Sequence, residues 1–157
     1  MTDLLNVEDL AVVFRVQAGK IVAVEGVSFR VKTASTVAIV GESGSGKSTI
    51  AQAIMGILPN VAEITRGSIK FTDPNPRAPS SARRQMDPVV DIASLPSDGW
   101  QMQRLRGGRM SMIFQEPMTS LSPLHTIGDQ ISEAMLLHSD VTKKTAMEAV
   151  EEMLGTV

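Results

Sequence analysis

Apolar residues recur at every second position in two runs between residues 4 and 31. Leu10, Val12 and Phe14 mark one side of the first run; in the second, Val22 and Val24 give way, across Glu25-Gly26, to Val27, Phe29 and Val31. A period of two predicts half-buried strands. The segment therefore reads as two antiparallel strands joined near Ala18-Gly19-Lys20, with a bulge at Gly26. Thr36 to Val40 differs, being a short β-branched run of the kind a parallel strand buried on both faces shows. From Lys47 the period lengthens: Ile50, Ile54, Ile57 and Leu58 share a helical face, and Pro59 ends the run. A strand is expected at Ser68-Ile69-Lys70-Phe71. Residues 72–96 carry five of the eight prolines with Arg77, Arg83 and Arg84, and read as a loop or mobile insertion. Asp98 to Arg106 is expected to be a short helix, with Asp98 and Gln101 spaced as a capping box, and Met110 to Phe114 another apolar strand. Two helices are expected from about Thr126 to His138 and Thr142 to Leu154. There Ile127, Ile131, Ala134 and Met135, then Met147, Val150 and Leu154, keep helical spacing, and Gly155 suits a terminus.

Between the run at 36–40 and the helix from Lys47 lies Gly41-Glu42-Ser43-Gly44-Ser45-Gly46-Lys47-Ser48-Thr49, a complete G-x-x-x-x-G-K-[ST] phosphate-binding loop. Strand, loop and helix are in the order its mechanics require. Glycines at 41, 44 and 46 let the backbone turn its N–H groups inward, and the helix start adds partial positive charge. Lys47 is expected to reach the β- and γ-phosphates of a triphosphate. Ser48 is expected to place its hydroxyl on a magnesium ion, with Ser43, Ser45 and Thr49 as further donors. The plain alternative is a glycine-rich turn that only caps a helix.

Composition narrows the setting. At 157 residues the chain can hold one domain with a real core. Lys plus Arg number 15 against 17 Asp plus Glu, so no global basic field argues for a nucleic-acid partner. The absence of cysteine excludes disulfides and thiolate metal sites and fits a reducing compartment. No apolar run approaches the roughly 18 residues of a membrane span, and Met1-Thr2-Asp3 opens with an acid where a signal peptide carries base. Cytosolic or membrane-peripheral placement is expected. The ten methionines read as core and interface packing, and the arginines between 77 and 109 as a solvated loop.

A second informative segment is Ile113-Phe114-Gln115-Glu116-Pro117-Met118-Thr119-Ser120-Leu121-Ser122-Pro123. A glutamine ending an apolar strand before a proline-broken loop is a polar group delivered to the carboxyl edge of a parallel sheet, where α/β folds bind ligands. Together with the loop at 41–49, this segment resembles the ATP-binding subunits of ABC transporters, within them the peptide, dipeptide and nickel importer group. The resemblance covers nearly the whole chain apart from 72–96. It implies an α/β P-loop NTPase fold of the ABC ATPase type: an amino-terminal antiparallel β part (1–35), a P-loop core (36–71), a loop insertion (72–96), a Q-loop region (97–125) and the start of a helical subdomain (126–157), with an incomplete core sheet. By resemblance, ATP and Mg2+ are the cofactors. Gln115 looks like the Q-loop glutamine that contacts magnesium and the attacking water, while Glu116 to His125 would face membrane-spanning permease subunits. Phe14 sits where such subunits stack an aromatic on adenine; a core strand residue is the plain alternative. The further partners implied are a second ATP-binding subunit and, indirectly, an extracytoplasmic solute-binding protein, at the cytoplasmic face of the membrane.

Some expected parts of that family are missing. No run of four apolar residues followed by Asp and Glu supplies a Walker B strand; Pro88-Val89-Val90-Asp91 is the nearest imitation, but is short, proline-led and followed by Ile92. Leu105-Arg106-Gly107-Gly108-Arg109 imitates the signature motif, yet precedes the strand at 110–114 and has Arg106 where serine belongs. His125 and His138 read as surface or interface residues, not as a switch histidine. The chain is therefore expected to be an amino-terminal fragment or truncated product that binds nucleotide without turnover, exposes apolar surface and has little stability alone. The leading expectation is an ATP-binding subunit energising peptide import. Alternatives are a non-catalytic nucleotide-binding module and an unrelated P-loop kinase or GTPase, although no guanine-reading Asn-Lys-x-Asp occurs.

Overall fold

The computed structural model describes residues 3–74, 87–115 and 121–156. They divide between two compact units, 3–74 with 87–103 and 104–115 with 121–156.

The first unit is built on an antiparallel sheet. β1 (Asp3–Val16) and β2 (Gly19–Lys32) form the expected hairpin, and β3 (Ala62–Thr72) and β4 (Val89–Asp91) extend it in the order β2-β1-β3-β4. Leu10 faces Val27 while Val12 faces Val24, so β2 carries one extra residue at Glu25-Gly26, where Gly26 has φ 67°. That is the predicted bulge. A second irregularity was not predicted: from Val7–Phe29 to Leu10–Val27 the extra residue lies on β1, where Asp9 has φ 48°. Flanked by partners on both sides, β1 buries Leu10, Ala11, Val12 and Val13 consecutively, so simple alternation fails at its centre. The opposite side of the hairpin tip is charged. Arg15 pairs with Glu63, which also meets Lys20 at 3.7 Å; the hydrogen bond from Arg15 chiefly holds the Glu63 carboxyl below the ordinary range.

α1 (Lys47–Ile54) buries Ile50 and Ala53 and stops earlier than its apolar pattern predicts. Gly56, with φ 62°, ends it: Gly56 N–H donates to Ala53 and Ile57 N–H to Gln52, the paired bonds of a Schellman cap. Part of the segment read as a loop is ordered. Val89–Asp91 pairs with Lys70–Thr72, and one 3-10 turn, Ile92–Ser94, follows.

The strands expected at 36–40 and 110–114 do not form. Residues 35–42 and 111–114 run without a ladder, and the one bridge there joins Arg106 to Met110. A parallel strand exists only when neighbours take its N–H and C=O groups, and among the described residues none does so. Val40 is accordingly 88% and Ile113 94% exposed. The core sheet is incomplete, as expected, and apolar surface is open.

α2 (Trp100–Leu105) spans the point where the units divide; Gln103 Nε2 donates to the Asp98 carbonyl at 3.0 Å, a bond of opposite direction to that of the expected capping box. The second unit then contains α3 (Ile127–His138) and α4 (Lys143–Leu154). Thr126 and Thr142 cap them by accepting from Asp129 and Thr145 N–H at 3.1 and 3.2 Å. Among the described residues no helix is long and apolar enough to cross a membrane.

Candidate functional site

The loop at 41–49 lies in the first unit, seated on the hairpin. Gly46 is the N-cap of α1 with φ 88°; a methyl group there would stand 2.3 Å from the Ala23 carbonyl oxygen and 3.2 Å from Val24 Cγ2. The loop backbone thus rests on β2 in a left-handed conformation, and glycine meets both demands. Ala23 and Val24 were not singled out from sequence as the floor of the loop. The available signal was a small residue between Val22 and Val24 in an apolar run. Gly44 also has positive φ, 81°, but open space around it. Ser45 closes the turn, donating its N–H to Glu42 O at 3.2 Å.

Gly46 supplies no side-chain cap, and the helix's own bonding starts with Ile50 N–H to Gly46 O at 3.0 Å. The N–H groups of Lys47, Ser48 and Thr49 precede that bond, at the positive end of the helix axis, and the first turn holds no acid. Lys47 Nζ donates to the carbonyls of Gly41 at 2.9 Å and Glu42 at 2.6 Å, and to Ser45 Oγ at 3.3 Å. All three ammonium protons are committed within the turn, centring the positive charge over residues 41–45. Ser43 and Ser48 are exposed and Thr49 half-buried. A cation, serine hydroxyls and helix-end amides with no acid in that first turn form a donor set that fits a polyphosphate anion.

Phe14 is half-buried on β1, opposite Ile21 on β2 and Ala62 on β3. It lies two residues along β1 from Val12, whose partner Val24 lies under Gly46. The structure thus brings Phe14 and the phosphate loop into one neighbourhood of the first unit. Gln115 belongs to the second unit and is exposed at the end of the 111–115 stretch. Glu116 to Ser120 lie outside the described residues. Of the remainder of that loop, Gln130 ties down three points: Nε2 donates to Ser122 O and His125 O, and Oε1 accepts from Ser122 N–H.

The chain carries a match to the ABC transporter family over residues 24–157. It belongs to that family. Its curated ABC relatives include the dipeptide transport ATP-binding protein DppD of Bacillus subtilis, 41% identical over 158 residues, which span 100% of this chain and 42% of that protein. The oligopeptide transport ATP-binding protein OppD of Mycobacterium tuberculosis is 39% identical over 158 residues, with 100% of this chain and 23% of that protein covered. The chain therefore spans less than half the length of these curated relatives. Among solved structures, a dimeric post-hydrolysis ATP-binding cassette bound to ADP and Pi matches with TM-score 0.66 at 20% identity, covering 94% of this chain and 56% of that one. That likeness establishes the ABC ATPase fold.

Within this family frame, two imitations of its motifs have other roles. Asp91 Oδ1 accepts from Ile69 N–H at 2.9 Å and Ala93 N–H at 3.1 Å, so this carboxylate locks a strand end to a turn. Gly107 and Gly108 form the turn after α2, and His138 lies over them: methyl groups there would meet its Nε2 at 2.7 Å and Nδ1 at 2.9 Å. His125 Nδ1 instead meets Ser122 Oγ at 2.9 Å.

Proposed function

We propose that these residues form the nucleotide-binding part of an ATP-binding subunit that energises ABC-type import of peptides. The observation that carries this reading is the loop seated on β2, with the Lys47 ammonium over the turn and open helix N–H groups beside it. The names of the relatives, dipeptide and oligopeptide transport proteins, supply the substrate class.

Bound ATP supplies the free energy for transport when hydrolysed. Lys47 exchanges its contacts with the Gly41 and Glu42 carbonyls for the β- and γ-phosphate oxygens, while the amides of the loop and first helical turn hold the rest of the charge. Ser43, Ser45 and Thr49 would add donors; Ser48 would hold Mg2+, and Gln115, by the family resemblance, would serve as a further ligand and γ-phosphate sensor. Phe14 receives the base. The loop and the helix start bind and position the phosphates, the positioning half of phosphoryl-transfer chemistry. The subunit works peripheral on the cytoplasmic face, clamped against a second ATP-binding subunit. Its permease contact runs through Glu116 to His125; within that stretch Gln130 holds Ser122 and His125, and Leu124 stands 87% exposed. An extracytoplasmic solute-binding protein delivers the peptide to the permease.

Uptake of a radiolabelled dipeptide tests this reading. Deleting the gene should abolish uptake, with rescue by the wild-type gene and not by Lys47→Ala. Undiminished peptide uptake in the deletion strain would overturn it.

A further inference from the structure

We propose that Gln130 is a positioning residue for the permease contact, its side-chain amide fixing the turn 122–125 so that Leu124 projects as an apolar anchor for a cytoplasmic segment of the membrane subunit. This rests on the permease contact proposed above. Gln130 is the fourth residue of α3, half-buried, and grips the preceding turn at both ends. Its Oε1 accepts from Ser122 N–H at 2.8 Å, while Nε2 donates to Ser122 O at 3.0 Å and to His125 O at 3.1 Å. Taking the N–H and the C=O of one residue together requires a donor and an acceptor on one planar group, which a side-chain amide supplies. Between the two tethered points Pro123 fixes its own φ. The Ser122 hydroxyl accepts from Leu124 N–H at 3.3 Å and meets His125 Nδ1 at 2.9 Å. The backbone that carries Leu124 is thus tied on both sides.

Leu124 is 87% exposed, and Leu121 and Ile127, three residues to either side, are open at 45% and 52%. Three large aliphatic side chains within one short stretch are left to water on a backbone that is already ordered. A partner that covers Leu124 therefore pays for side-chain freedom and little else, and most of the burial appears as affinity. Charge points to the same occupant. A cleft of about 440 Å³ opens beside the turn, and its lining among the described residues, Ser122, His125, Asp129, Gln130 and Glu133, carries two acids and no Lys or Arg. Cytoplasmic loops of membrane-spanning proteins carry an excess of Lys and Arg, the complementary sign.

Gln130→Glu keeps the size of the side chain and the acceptor for Ser122 N–H, but sets a carboxylate oxygen against the Ser122 and His125 carbonyls; it releases the turn without opening a cavity. A strain lacking the gene is complemented with wild type, Leu124→Ala, Gln130→Glu, the double variant or Lys47→Ala. Radiolabelled dipeptide uptake and the amount of the chain retained on washed membranes are measured in each, with calorimetric Mg-ATP titration of each purified chain. Leu124→Ala and Gln130→Glu should each lower uptake and membrane retention about tenfold with Mg-ATP affinity unchanged, and the double variant should be no worse than the more affected single one. Lys47→Ala should lose uptake yet stay on the membrane. Wild-type retention in either single variant, losses that multiply in the double variant, or a fall in Mg-ATP affinity in Gln130→Glu would overturn the positioning role. Undiminished uptake in the deletion strain would instead overturn the import reading, and this inference with it.

Discussion

Gly46→Ala, compared with Gly44→Ala, isolates the contact that seats the phosphate loop. Both glycines have left-handed φ, 88° and 81°, so each alanine pays a similar conformational penalty of about 1–2 kcal/mol, reduced by about 0.4–1 kcal/mol through the stiffer unfolded chain. At Gly44 nothing lies within 4 Å of the new methyl, and the net loss should be about 1 kcal/mol. At Gly46 the methyl would stand 2.3 Å from the Ala23 carbonyl oxygen, a backbone atom that no rotamer change moves aside. Overpacking adds about 1–3 kcal/mol, for a total near 3 kcal/mol. Urea unfolding followed by circular dichroism reads the difference, expected to be about 2 kcal/mol between the variants. If the chain instead escapes by lifting the loop off β2, stability is spared and ATP affinity falls. Equal midpoints for the two variants together with wild-type ATP affinity in Gly46→Ala would refute the seating of the loop on β2.

Other perturbations check other parts of the structure. Asp91→Ala leaves the buried Ile69 N–H without its acceptor and should cost about 2 kcal/mol in urea unfolding, with Mg-ATP affinity unchanged; a specific loss of magnesium-dependent affinity would contradict the structural role of Asp91. The Glu8 carboxyl is held below its ordinary value of 4.5, first by donation from Asn6 and then by Lys70. With the folded pKa lowered, its contribution is present above the unfolded value and is lost as pH falls through the lowered one. A carbon-detected NMR titration should place the Glu8 midpoint below 4.5 and move it upward in Asn6→Ala; an unmoved midpoint would sink the assignment. Thr142→Ala removes the cap of α4 and should cost about 1 kcal/mol, whereas Thr142→Ser should recover most of it.

Local signals in the sequence carried over to the structure, and signals that depend on distant partners did not. The turn after Val16, the bulge at Gly26, and the helix starts near Thr126 and Thr142 each follow from residue types acting within a few positions, and all stand where expected. Thr36–Val40 and Met110–Phe114 have strand composition, yet composition cannot supply the neighbouring chain that makes a ladder. β4 was missed for the converse reason: three residues among prolines become a strand because β3 lies beside them. For the site, the motif named the loop residues, while the floor at Ala23–Val24 emerged only from a close backbone approach. The rung joining Phe14 to Ile21 likewise depends on register, which bulges shift by one residue at a time.

The central claim is that the loop at 41–49 holds the phosphates of a nucleotide through Lys47. Calorimetric titration of Mg-ATP into wild-type chain and Lys47→Ala tests it most directly. Loss of an ammonium making charge-assisted bonds, worth about 1.5–3 kcal/mol, should weaken binding about 10- to 100-fold, with the circular-dichroism spectrum unchanged. Equal affinity in the two proteins, or no binding to the wild type, would contradict the account.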